Sequence, residues 1–173
     1  MEGKMAEEKI GDARVIALDE APSFWQPVPA NGFIRNILNS RMVNSGTNFS
    51  MGTQTVAPHC FIREHTHAHN DEIIHMLSGH GFARLDGIEH PIETGSTVYI
   101  GQNRKHHFIN RSDEPFTFLW LMLPGGLDDF FEQIGRPRKV GEPDPQPFPR
   151  PYNVAEIEAR TVFGWVDSSY NKS

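Results

Sequence analysis

The stretch His65-Thr66-His67-Ala68-His69-Asn70-Asp71-Glu72, followed by six residues and then Gly79, decides how this chain folds. In an extended strand, side chains two apart point to the same face, so His65 and His67 can both face the interior of a β-structure. Glu72 lies an odd number of residues beyond His67, and an unbroken strand would send it outward. Asn70 and Asp71 are turn formers, and a reversal there offers Glu72 from an adjacent antiparallel strand. Further on, Gly95, five residues, then Gly101-Gln-Asn-Arg-Lys-His106-His-Phe-Ile-Asn110 supplies a third imidazole. Closure of a barrel brings His106 toward the other three. His65, His67, Glu72 and His106 then make a donor set of three nitrogens and one carboxylate for one divalent transition metal per chain. Fe(II), Mn, Ni, Co or Zn suits such ligands, and coordination positions stay open.

Working outward, short β-type segments alternate with turn residues, the pattern of an antiparallel sandwich or small barrel. The expected strands are Arg14–Leu18, Phe33–Leu38, Thr47–Val56, Phe61–Thr66, Glu72–Leu77, Gly81–Leu85, His90–Ile92, Thr97–Ile100, His106–Asn110 and Phe116–Leu123. Asp86-Gly87 is a two-residue hairpin turn, since glycine accepts the positive φ such turns need. Consecutive apolar residues in Phe116–Leu123 suggest a strand buried on both faces. Beyond Pro124 the character changes. Leu127, Phe130, Phe131 and Ile134 fall on one face of a helix that Gly135 and Pro137 end. The alternating prolines at 143–151 favour an extended arm on the surface. Asn153 and Glu156 have the spacing of a capping box for a last helix through Arg160. The chain divides into residues 1–30 with a charged, frayed leader (1–12) and a first strand, a barrel over 31–123, and a C-terminal part over 124–173 belonging to the same domain.

Composition narrows the partners. The 173 residues carry a net charge of −6 and 22% charged residues, normal for a soluble domain and poorly suited to nucleic acid or an anionic membrane. No apolar run is long enough to span a bilayer, and the N-terminus lacks the apolar core of a signal peptide. Cys60 is the single cysteine, which excludes an intramolecular disulfide and points to a reducing cytoplasm. Its apolar neighbours make it a small buried hydrophobe rather than a reactive thiol.

Nine histidines offer a bland alternative, because a surface cluster with adventitious metal affinity would also place two imidazoles at this spacing. The joint match of Glu72, Gly79, Gly95, His106 and Asn110 argues instead for one built site. His69, His75, His80 and His107 fall outside the frame. A trio of His67, His69 and Glu72 is a weaker choice, since only two residues separate His69 from Glu72.

On these residues the chain resembles a single-domain cupin. The first cupin motif matches at His65, His67, Glu72 and Gly79, with His59 where a glycine is expected. The second matches at Gly95, His106 and Asn110, with Gly101 and Asn103 in place of its proline and glycine. Leu123-Pro-Gly-Gly-Leu-Asp-Asp-Phe-Phe is also similar to the segment after the last strand in quercetin-dioxygenase-like cupins. The resemblance implies an all-β antiparallel sandwich or jelly roll with the metal inside one mouth, and a homodimer.

A metal in this cage with open positions would take a small-molecule substrate that offers two oxygens, such as a catecholate, flavonol, enediol or β-diketone. Glu72 is then either a plain ligand or also the base that accepts the substrate's proton. Met76 and Phe108 share faces with Glu72 and His106, and with Tyr99 and Trp120 they are the expected pocket wall. Phe116 and Phe118 are further aromatic candidates. The leading expectation is a metal-dependent dioxygenase. A redox-neutral isomerase or lyase and a non-enzymatic binding module are the alternatives.

Overall fold

A computed structural model of the chain describes residues 10–164, so the leader is outside it up to position 9. Eleven strands and two helices follow one another: β1 (Ser23–Trp25), β2 (Phe33–Asn39), β3 (Ser50–Val56), β4 (Phe61–His65), β5 (Asp71–Ser78), β6 (His80–Leu85), β7 (Ile88–Glu93), β8 (Thr97–Ile100), β9 (His106–Ile109), β10 (Phe116–Leu123), α1 (Leu127–Ile134), β11 (Arg136–Pro137) and α2 (Val154–Arg160). They form a seven-stranded sheet in the order β11-β1-β2-β3-β10-β5-β8 and a four-stranded sheet in the order β4-β9-β6-β7. Every pairing is antiparallel. The fold is the all-β antiparallel cupin sandwich that the motifs imply.

The core lies between the sheets. Ile34, Val56, Ile74, Met76, Phe116, Phe118, Trp120 and Met122 come from the large sheet, and Ile62, Ala83, Ile92 and Phe108 from the small one. Strand β10 is central, paired to β3 on one side and β5 on the other. Its residues alternate strictly between buried and half-buried, so only the Phe116, Phe118, Trp120, Met122 face enters the core. This corrects the expectation of a strand buried on both faces: Leu119 and Leu121 cover the outer side of the sheet without being enclosed.

Other expectations also change. Arg14–Leu18 is not a strand: it pairs with no strand of either sheet, and Val15 is 89% exposed. The first strand is Ser23–Trp25, which pairs with β2 and with β11, an element that sequence periodicity is too short to reveal. The α2 helix begins after Asn153 as expected, but the Asn153 side chain makes no capping hydrogen bond. Asp86 and Gly87 both adopt positive φ (47° and 88°), as a tight hairpin with right-handed strand twist requires.

The two glycines missing from the motifs are instructive. His59 and Asn103 stand in their places, and both hold positive φ, 57° and 59°. The turn geometry is kept at the cost of some backbone strain, which asparagine tolerates better than histidine. Asn103 also binds the neighbouring loop, donating its backbone N–H to the His67 carbonyl at 2.8 Å.

Candidate metal centre

His65 closes β4 and pairs directly with His106, the first residue of β9. Between Ile62 and His65 the register slips by one residue, so three steps on β4 match two on β9. That bulge turns both Ile62 and His65 inward although they are an odd number of residues apart. His67 follows in the connection after β4, where Thr66 bridges to Gly164. Glu72 does not come from a strand adjacent to β4, as the sequence suggested. The 66–70 connection crosses between sheets, and Glu72 faces the histidines from β5 in the opposite layer. Asn70 secures that crossing by donating its amide to the Pro124 carbonyl at 2.6 Å. Asn110 is a clamp and not a ligand: its buried amide serves the carbonyls of Val56, Ala57 and Glu114.

One donor atom from each of His65, His67, Glu72 and His106 lies within 4.8 Å of the others, and all four residues are buried. Each imidazole is oriented from behind. Nδ1 of His65 donates to the Arg63 carbonyl (2.7 Å), that of His67 to the Val162 carbonyl (2.6 Å), and that of His106 to the Arg104 carbonyl (2.9 Å). A carbonyl only accepts, so Nδ1 carries the proton, and a neutral ring turns its Nε2 lone pair inward. Nε2 of His67 and of His106 face Glu72 Oε2 at 3.5 and 3.2 Å. All three atoms are buried without a hydrogen-bond partner. Acceptors converging on acceptors inside a protein need a cation between them. The residues fit a divalent metal.

The electrostatics agree. Burial alone would raise the pKa of Glu72, but His106 and His67 outweigh it and hold the carboxyl at about 2. Burial, reinforced by His106 and His67, keeps His65 well below its ordinary value, hence neutral. Burial also acts to lower His67, yet Glu72 overrides it and raises that pKa.

A narrow cavity adjoins the cluster, lined by Gln54, Ile62, His65, Glu72, Phe108, Phe118, Leu127, Phe131 and Phe163. Of the pocket residues expected from sequence, Phe108 is present, as is Phe118 among the further aromatic candidates. Met76 and Trp120 are buried in the core outside this lining, Trp120 packing on Phe131 at a centroid distance of 5.6 Å. Tyr99 points away from the interior and is 65% exposed, because Val98 and Ile100 take the inward positions of β8. Leu127 and Phe131 show that α1 caps the mouth. Sequence reading missed the C-terminal contribution altogether. Val162 orients His67, and the Phe163 ring stacks on His65 at 4.0 Å. No periodicity marks these residues; their segment is tied to the barrel by the buried Glu158, bound to Arg63, and by the bridge from Thr66 to Gly164.

Comparison with known proteins places this architecture. The family model described as "Cupin domain" matches residues 52–122. Protein SchB of Streptomyces halstedii is 30% identical over 101 residues, 58% of this chain and 70% of its own length. The tetracenomycin polyketide synthase protein TcmJ of Streptomyces glaucescens is 25% identical over 146 residues, 84% and 89% of the two chains. Among solved structures, the polyketide cyclase RemF of Streptomyces resistomycificus superposes with a TM-score of 0.55 at 16% identity, covering 65% of this chain and 80% of its own. Among the described residues, no helix is long and apolar enough to cross a membrane.

Proposed function

The chain belongs to the cupin family as a single-domain member, and from that premise we propose that it is a metal-dependent enzyme closing rings in an enolisable, polyketide-type substrate. The observation that carries this reading is the buried set of inward-facing His65, His67, Glu72 and His106 donors beside an apolar, aromatic cavity. Its relation to TcmJ, a polyketide synthase protein by name, supports a substrate with repeated carbonyl groups.

A divalent ion in this set supplies Lewis acidity to carbonyl oxygens, which acidifies the carbon between two of them. The protein supplies the rest. Phe108, Phe118, Leu127 and Phe131 exclude water and hold a flat chain folded against the donors. Glu72 is the one carboxylate on the cavity wall, so it is the group positioned to accept the carbon-bound proton. The resulting carbanion attacks a second carbonyl of the same molecule. A carbon–carbon bond forms, the new alkoxide takes the proton back from Glu72, and no electron leaves the substrate.

A second reading, the dioxygenase expected from sequence, is favoured by the donor set itself, since three neutral imidazoles and a carboxylate also suit Fe(II), Mn and Ni. Protein reconstituted with redox-inert Zn and given an aryl 1,3,5,7-tetraketone, whose C2 reaches the C7 carbonyl in a six-membered ring, under strict anaerobiosis separates the two. Ring closure in the parent, and its loss in Glu72→Gln, is the expected result. Consumption only with oxygen and a redox metal sinks the cyclase reading in favour of oxygenation. Tight binding without turnover leaves a binding module. Elemental analysis is the companion measurement: roughly one metal per chain in the parent, and at least a tenfold drop in His106→Ala.

A further inference from the structure

A second, narrow cavity lies outside the first and is lined in part by Val28, Phe61, Arg63, Phe130, Ile134 and Arg150. It reaches the surface, since Val28 and Phe61 are each 39% exposed. Gln54, Ile62, Phe131 and Phe163 line both cavities, so these four side chains form the partition between them. A multi-ring molecule fits neither space as it stands, so it can occupy them only by displacing part of the partition.

Phe163 is the part of the partition built like a guest. Its ring lies parallel to His65 on one side (4.0 Å, 9° between planes) and to Phe130 on the other (4.3 Å, 9°). Those two flanking rings belong to different cavities, His65 to the inner and Phe130 to the outer. They define a slot one aromatic ring thick. The remaining three partition residues are held by the barrel and by α1, whereas Phe163 hangs from a short segment beyond α2. The guanidinium of Arg63 sits 5.5 Å from the Phe163 ring centroid, at the edge of the slot. Arg63 and Arg150 share the single carboxylate of Glu158, which leaves this wall with one excess positive charge.

We propose that Phe163 is a displaceable gate and specificity residue: a planar, multi-ring aromatic ligand bearing phenolate or ketone oxygens takes its place between His65 and Phe130. In this arrangement one end of the ligand reaches the inner cavity beside His65 and Glu72. The other lies in the outer cavity, where Arg63 faces its electron-rich oxygens. The inference rests on the proposed reading of the site for the ligand's chemical class. Its geometry, though, requires neither turnover nor bound metal.

The test is equilibrium binding of 1,8-dihydroxyanthraquinone, followed by its visible absorbance, to metal-free and Zn-loaded protein. Phe163→Ala is expected to bind at least tenfold more tightly than the parent in both forms, because no ring must leave the slot. Adding Phe130→Ala to Phe163→Ala should remove that gain, since the guest loses one stacking face. Unchanged or weaker binding by Phe163→Ala, with native circular dichroism and parental metal content, would overturn the gate. So would a gain that survives the loss of Phe130. Tighter binding without anaerobic ring closure upholds the gate and removes the cyclase reading. Ring closure with binding indifferent to Phe163 does the reverse.

Discussion

The strands that carry the candidate metal ligands and the segment that closes over them are built on different principles. Strands β4, β5, β9 and β10 are held by antiparallel ladders with local register shifts in β4 and β10, and by a core in which Ile74, Phe116, Trp120 and Met122 are wholly enclosed. The segment at 150–164 contributes one short helix, one isolated bridge between Thr66 and Gly164, and a few anchors: Ile157, Phe163 and the Glu158 ion pairs. Yet it supplies the carbonyl that orients His67 and the ring that covers His65. The rigid part of the molecule presents the donors. Under the proposed gate, the C-terminal part decides what reaches them. Stability in proteins is distributed unevenly in this way, and elements that must move are drawn from its low end.

The contrast predicts a graded set of responses. Trp120→Ala removes a fully buried ring packed on Phe131, and should lower unfolding free energy by about 3–5 kcal/mol in urea titration. A loss near zero would mean that the barrel core is not the source of rigidity. Glu158→Gln leaves Arg63 and Arg150 without their shared charge, and should cost about 1–3 kcal/mol. Its sharper signature is local: the Gly164 amide, bonded to the Thr66 carbonyl at 2.7 Å, should exchange faster while β10 amides keep the protection set by global stability. Equal acceleration in both would erase the distinction between barrel and closing segment.

The smallest effect is a pH dependence seated in the barrel. His107, on the outer side of β9 against Phe61, is pushed down from 6.5 to about 4, mainly by burial and then by Arg84. The unfolded chain therefore binds more protons than the native one between those values. The His107 contribution to stability should be flat above pH 6.5, decline as pH falls toward 4, and level off below. His107→Phe should shrink the difference in urea midpoint between pH 7.5 and 5 relative to the parent. An unchanged difference would assign the acid sensitivity elsewhere, with buried His65 the next group of the same sign.

Much of this was legible in the chain. The spacing of His65, His67, Glu72 and His106 is a local record of one site, because each residue must stand at a fixed step from a turn or strand end. Asp86-Gly87 and the apolar stripe of α1 are likewise local, set by backbone preference and helical period. What escaped depended on neighbours distant in sequence. Strand Ser23–Trp25 exists only because β2 and β11 flank it, and Arg14–Leu18, with better β-propensity, lacks such partners. The inward face of β10 was undecided by its run of apolar residues until β3 and β5 fixed its register. Tyr99 looked like pocket wall and points outward for the same reason.

By itself, then, the sequence determined which side chains would serve as donors and that a β-sandwich would carry them, since both follow from short-range spacing and residue chemistry. Only tertiary structure decided that Glu72 would face the histidines across the two layers, and that Val162 and Phe163 would complete the site. Those outcomes depend on contacts between segments far apart in the chain, where burial and packing geometry choose among arrangements that local patterns leave equal.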